Sequence, residues 1–146
     1  TVGSIAASNA SGNVVIGDNT IQNETITLAG ATKPTITVSN GSAAMFMYAN
    51  VLGTDGFIKD GAGRMTFRFN TNDHIYTGNI FINGGSLGIQ KDSSLGDANN
   101  DITFGGNSTL LVEPSTNGTV TLGSGRSITL SNGVTGAIQT GSATTE

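Results

Sequence analysis

The side chains in this chain that could do chemistry are a scatter of carboxylates and one imidazole. Asp55, Asp60, Asp73, Asp92, Asp97 and Asp101 are the candidate acids, and His74 is the single histidine. Clustered carboxylates, or a carboxylate-bound metal beside a basic group, are what cleavage of a polysaccharide requires. Only Asp73-His74 sets a carboxylate next to an imidazole. Adjacent residues on a strand face opposite ways, so the pair reads as a solvated corner, not a dyad. Asp92, Asp97 and Asp101 fall on one connecting stretch, where they could meet a calcium ion or cap turns. The nine-residue Gly-Gly-x-Gly-x-Asp calcium repeat, the Ser-His-Asp set, the phosphate loop and a metal-spaced histidine cluster are all absent from the sequence. No catalytic, cofactor-binding or metal-ligating residue is therefore assigned, and no cofactor is expected.

Binding surfaces are the next class. Thr-x-Thr occurs at Thr25/Thr27, Thr35/Thr37 and Thr119/Thr121. Ice-binding solenoids use such pairs in one flat column, but the first two pairs stand ten residues apart and should fall on different faces. Outward threonine on an ordinary strand accounts for them. The aromatics are Phe46, Tyr48, Phe57, Phe67, Phe69, Tyr76, Phe81 and Phe104. Most alternate with polar residues and are expected inward. Phe81, between Ile80 and Ile82, is expected outward, as a contact surface or beneath a loop. The run Ala43-Ala44-Met45-Phe46-Met47-Tyr48-Ala49 reads as core, with a contact between subunits as the alternative.

The elements that position these groups are short strands. Thr25–Leu28, Thr35–Val38, Met65–Phe69, Ile80–Ile82, Ile102–Phe104, Val120–Leu122 and Ile128–Leu130 alternate apolar and polar, bounded by Gly, Asn, Asp or Ser. No long segment has helical spacing. Met65 to Leu87 and Ile80 to Ile102 are 22 residues, and Leu87 to Leu110 is 23. Leu110 to Ile128 and Val120 to Ile138 are both 18. A recurrence of this size, with two or three short strands per period, marks a solenoid. Stacked at the strand spacing, roughly seven coils of about 21 residues make a rod of about 30 to 35 Å. Asn40-Gly41, Asn83-Gly84, Asn117-Gly118 and Asn132-Gly133 are the expected corners, where a positive φ is needed.

Composition agrees with a folded chain under a neutral polar coat. Of the 146 residues 22 are Gly and 2 are Pro; charged residues are 11%. The net charge is −4, and the six cations Lys33, Lys59, Arg64, Arg68, Lys91 and Arg126 form no phosphate-binding stripe, so nucleic acid is not an expected partner. There is no cysteine for disulfides or thiolate metal sites. No stretch is apolar enough for a membrane helix. The chain opens at Thr1 without a signal peptide and reads as a mature piece or an excised segment, a single stretch over 1–146.

One segment carries a resemblance. Gly56-Phe57-Ile58-Lys59-Asp60-Gly61-Ala62-Gly63-Arg64-Met65-Thr66-Phe67 is followed by Tyr76-Thr77-Gly78, then Ile80-Phe81-Ile82-Asn83-Gly84-Gly85-Ser86-Leu87-Gly88-Ile89 and Leu95-Gly96. This order resembles the autotransporter-associated β-strand repeat, also called the passenger-associated transport repeat, over residues 56–96. Asn72-Asp73-His74-Ile75-Tyr76 departs from that repeat's compact Asn-Thr-Tyr and suggests a longer corner. The resemblance implies a right-handed parallel β-helix, and with the repeat spacing the chain is read as an all-β, single-stranded parallel β-helix of roughly 6–7 coils. It implies a rigid structural or adhesive module on the cell surface (outer membrane) or secreted, without catalysis. Expected partners are neighbouring coils or copies of the chain joined end to end, and a surface glycan or host protein. A self-assembling filament or matrix subunit and a polysaccharide-acting enzyme fragment are the alternatives.

Overall fold

The protein is described from a computed structural model over residues 1–8, 12–21, 23–68, 74–114 and 118–141; Phe69, Asn72, Asp73 and Asn117 lie outside these. The chain winds as a parallel β-solenoid. β1 (Ser4–Ala7), β4 (Thr35–Val38), β7 (Phe57–Asp60), β10 (Ile80–Ile82), β12 (Ile102–Phe104) and β14 (Ile128–Leu130) stack into one six-stranded sheet. β2 (Val14–Ile16), β5 (Ala44–Met47), β8 (Arg64–Phe67), β11 (Gly85–Ile89), β13 (Ser108–Val112) and β15 (Gly136–Thr140) stack into a second. β3 (Thr25–Leu28), β6 (Asn50–Gly53) and β9 (Ile75–Tyr76) form a three-stranded third face. Each pairing between these strands is parallel. A 3-10 turn, Asp92–Leu95, is the one helical element among the described residues.

The register turns the two-residue alternation into columns. On the first sheet Ile5, Ile36, Lys59, Ile82, Phe104 and Leu130 lie in one line, and Phe57, Ile80, Ile102 and Ile128 in another. On the second sheet the line is Val14, Met45, Met65, Leu87, Leu110 and Ile138. Like therefore sits on like at the strand spacing, and the apolar members of these columns make the core. The turn built by β7, β8 and β9 is centred on aromatics. Phe57, Phe67 and Tyr76 enter from the three faces, with ring centroids 5.9 Å (Phe57–Phe67), 5.6 Å (Phe57–Tyr76) and 6.4 Å (Phe67–Tyr76) apart. Tyr76 is directly in register with Gly53, which in turn follows Leu28 in the stack. A Cβ at Gly53 would run into the Leu28 carbonyl, and its φ of 145° suits glycine, so two large side chains flank an empty position.

The structure departs from the sequence expectations in three places, the 18-residue spacing, Val120–Leu122 and the Asn-Gly corners. The 22- and 23-residue recurrences are true coil partners, but the 18-residue ones are not. Leu110 pairs with Ile138, 28 residues on, and Ile102 pairs with Ile128, 26 residues on. The long connection after β13 lengthens that turn; of the 18-residue pairs, Leu110 and Ile128 lie on different faces and Val120 lies within that connection. Val120–Leu122 is not a strand, although Val120 and Leu122 pack partly buried against the core. Of the expected Asn-Gly corners, Gly133 takes a positive φ of 74°, while at Asn83-Gly84 the positive φ (60°) falls one residue later on Gly85. Gly41 is not among the positive-φ glycines; there Asn40 accepts a bond from the Ser42 amide through its side chain, 2.9 Å. The first pair of threonine sites does divide between faces, on β3 and β4, and neither pair is continued as Thr-x-Thr in the next turn.

Phe67 touches all three neighbours at the aromatic centre, His74 included at 4.5 Å. Truncation should leave a cavity that the stacked turns on either side cannot collapse around. Phe67→Ala is expected to lower stability by about 3–5 kcal/mol, read as a reduced midpoint in urea unfolding.

Candidate functional site

Lys59 sits where the alternation of β7 sends Phe57 and Lys59 inward together. Its side chain is fully buried, between Ile36 and Ile82 in the column. A buried ammonium needs acceptors, and the corner supplies three carbonyls: Asp60 at 2.8 Å, Gly61 at 3.1 Å and Gly84 at 3.1 Å. The last belongs to the next turn, so one side chain ties two turns at the corner between the first and second sheets. Burial pulls the Lys59 pKa down to about 8, opposed by the charge of Asp60.

A second arrangement lies outside the second sheet. Phe46 points outward between inward Met45 and Met47, against the sequence expectation, and is nonetheless buried. The Arg68 guanidinium covers its ring at 4.5 Å and that of Arg64 lies 5.9 Å away. This accounts for the apolar run 43–49: its inward members are core and its outward aromatic is capped by cations. Arg64 also donates to the Thr66 hydroxyl at 2.6 Å and pairs with the buried carboxylate of Glu113. That pair spans from β8 to the end of β13 and so crosses β11. Gly88 is the outward residue of β11 in register with Thr66, and a Cβ there would strike the Thr66 side chain.

The expected acids are used separately. Asp92 pairs with Arg126, whose side chain is enclosed, through Nε at 3.1 Å and a terminal nitrogen at 3.1 Å. Arg126 also donates to the Asn100 carbonyl at 2.7 Å, and Asp92 accepts the Gly123 amide at 2.9 Å. Burial alone would raise the Asp92 pKa; the hydrogen bonds from Arg126 and Gly123 and the guanidinium charge outweigh it and hold the carboxyl below its usual range. Asp97 accepts the Asn99 amide at 2.9 Å in a local turn, and Asp101 accepts the Ser127 amide at 2.8 Å. The three loop acids thus cap turns and clamp the 118–127 connection. Among the described residues no three His, Cys, Asp or Glu side chains gather to hold a metal ion. Asp60 is exposed at the end of β7, and Asp55 is exposed on a corner. Asp73 lies outside the described residues. His74 is buried, not solvated, and its Nδ1 accepts the Val51 amide at 3.2 Å, tying the corner to β6.

The remaining feature is a cleft of about 410 Å³ at the corner between the third face and the first sheet. Gly30, Ala31, Thr32, Lys33, Thr54, Asp55 and Gly78 line it. Lys33 reaches across it to the Asp55 carbonyl and, at 3.2 Å, to that of Asn79. The same ammonium lies 5.5 Å from the centre of the Phe81 ring, which is outward and half-buried as a residue between two core isoleucines must be.

Sequence reasoning treated the cations as scattered and missed Lys59, Arg64, Arg68 and Arg126. Arg64 at the start of β8 and Arg68 just past its end, four residues apart and both outward, were the available signal.

Comparison with known proteins finds a similarity to an adhesin. Over 113 residues, 77% of its length, the chain is 33% identical to a protein named adhesin BmaC autotransporter from Brucella suis biovar 1 (strain 1330). The chain spans 3% of that protein's length. No family model matches the chain, and no solved structure matches it. A parallel β-solenoid and similarity to a fragment of an autotransporter adhesin agree with each other.

The Lys59 geometry has a consequence for stability. Its folded pKa, about 8, lies below the unfolded value of 10.5, so between the two the unfolded chain binds more protons and stability rises with pH. Buried Tyr76, its pKa raised well above 10.0 chiefly by burial, works in the opposite sense above that pH. Urea unfolding of the natural chain and of Lys59→Met from pH 7 to 10 should therefore show a rise of at most ~1.4 kcal/mol per pH unit that the variant lacks.

Proposed function

We propose that the chain is a non-catalytic structural and adhesive segment of an exported, passenger-like bacterial surface protein, displayed on the cell surface or secreted. The observation that supports it most is the unbroken in-register core joined to the similarity with part of an adhesin. Residues 56–96, which resemble the passenger-associated transport repeat, supply the aromatic centre, the Lys59 corner and one end of the Arg64 strap. A right-handed winding of roughly six to seven coils fits this reading, and six strands on each long sheet support it. The most buried charged side chains bind the chain to itself, which suits a rod whose task is rigidity. Beads coated with the chain should adhere to cultured epithelial monolayers above uncoated beads, and the chain should release no reducing ends from a polysaccharide panel. Retention at the level of bare beads, or turnover of any polysaccharide, would overturn the proposal.

A second reading has its own observation. Leu130 and Ile138 occupy the core columns after Phe104 and Leu110 but are 51% and 58% exposed. β14 and β15 are also the last strands of their sheets, with open ladder edges. Such an end accepts another coil, from the same protein or from a second copy. In sedimentation velocity, end-to-end assembly should appear as concentration-dependent oligomers that Leu130→Asp with Ile138→Lys abolishes. A natural chain that stays monomeric at all concentrations would rule the filament out.

A further inference from the structure

The corner cleft arises from unequal corner lengths. Six residues connect β3 to β4, whereas three connect β6 to β7 and three connect β9 to β10. Residues of the longer corner and of the two shorter ones line the cleft together, and Lys33 reaches from the first to the other two. Glycines at positions 30 and 78 leave parts of the wall as bare backbone.

We propose that this cleft binds a neutral saccharide. The proposal deepens the adhesive reading and rests on it for its biological meaning. Four observations converge. The cleft, about 410 Å³, falls within the range of small-ligand clefts. Its free groups are mixed in kind: among the described residues no bond takes the Asp55 carboxylate or the hydroxyls of Thr32 and Thr54, which offer acceptors and donors together. Sugar hydroxyls, each both donor and acceptor, require that mixture.

The third observation is charge. Lys33 and Asp55 balance one another locally, so the cleft itself carries no net charge that would select an acidic or a basic ligand. The fourth is an apolar shelf beside the opening. Phe81 and Ile58 are adjacent in register, outward and half-buried, with the Lys33 ammonium over the ring. The C–H face of a sugar ring can rest on the part of this surface beside the ammonium while its edge hydroxyls reach the cleft.

The test is titration of the isotope-labelled chain with lactose, maltose, cellobiose, chitobiose and mannobiose, followed by amide chemical shifts. One of these should saturate with a dissociation constant on the order of 1–10 mM, with shifts confined to residues 30–33, 54–55 and 78–81. Asp55→Ala and Thr32→Val, both exposed and outside the ladders, should each weaken it by about tenfold. No saturable shift with any disaccharide would overturn the proposal, as would shifts centred elsewhere or unchanged by both variants. A tri-aspartate or tri-lysine peptide that saturates the same residues would also overturn it, by identifying a charged ligand. The bead assay separates the two readings. Undiminished adhesion by Asp55→Ala would remove the cleft from adhesion and leave the adhesive module standing. Disaccharide binding at the cleft without adhesion would sink the adhesive reading alone.

Discussion

In-register parallel stacking is the constraint on which everything else in this molecule depends. Each residue of a turn sits on its counterpart about 4.8 Å away, so the volume of one side chain is felt by the two beside it. No turn buries its apolar face alone. Ile80 is enclosed only because Phe57 and Ile102 flank it, and Leu110 only because Leu87 and Ile138 do. Gly53 beside Tyr76 is the same constraint seen from the other side: the column takes the phenol because its neighbour has no side chain. Where the column has no further neighbour, the same residue types are exposed, as Leu130 and Ile138 show.

A stack of near-identical apolar rows has a weakness. Rows of Ile, Leu and Met can exchange partners at little cost, so hydrophobic burial alone fixes register poorly along such a column. The polar interactions lie where they can correct this. Lys59 finds acceptors on Asp60, Gly61 and Gly84 together only when β7 and β10 are correctly stacked. The Arg64–Glu113 pair fixes β8 against β13 across β11, and Asp92–Arg126 fixes the longest connection to the turn before it. Burying such charges costs several kcal/mol each before their partners offset it. Their value is therefore better sought in specifying one arrangement than in adding stability.

The legible part of the fold was the part written in local alternation. Ile80–Ile82 and Ile102–Phe104 declare both strand and inward face, and their 22-residue separation declares the stacking. The spacing failed after Leu110 because a solenoid fixes the height of a turn but not the length of its corners. The connection between β13 and β14 could take up extra residues without disturbing a single ladder pair. Lys59 was illegible for another reason. Phe57-Ile58-Lys59-Asp60 offers one apolar residue to each face, so alternation alone cannot decide which way the strand points. Asp92 and Arg126 are 34 residues apart, and nothing local marks them as partners. Phe46 could have been assigned outward from its flanking methionines, but its burial depended on arginines 18 and 22 residues further along the chain.

The same distinction says where function can reside. The sheets are committed on their inner side to the core and along their edges to one another. Their outer positions can change, yet each is hemmed in by the rows beside it. Corners are free of the ladder, and a corner can lengthen by several residues while the strands on either side keep register. The 29–34 corner does this, and the cleft beneath it exists because its two neighbours stayed short. A rod of this construction can thus acquire a recognition site without altering its core, by inequality between successive corners, and lose it again by making them equal.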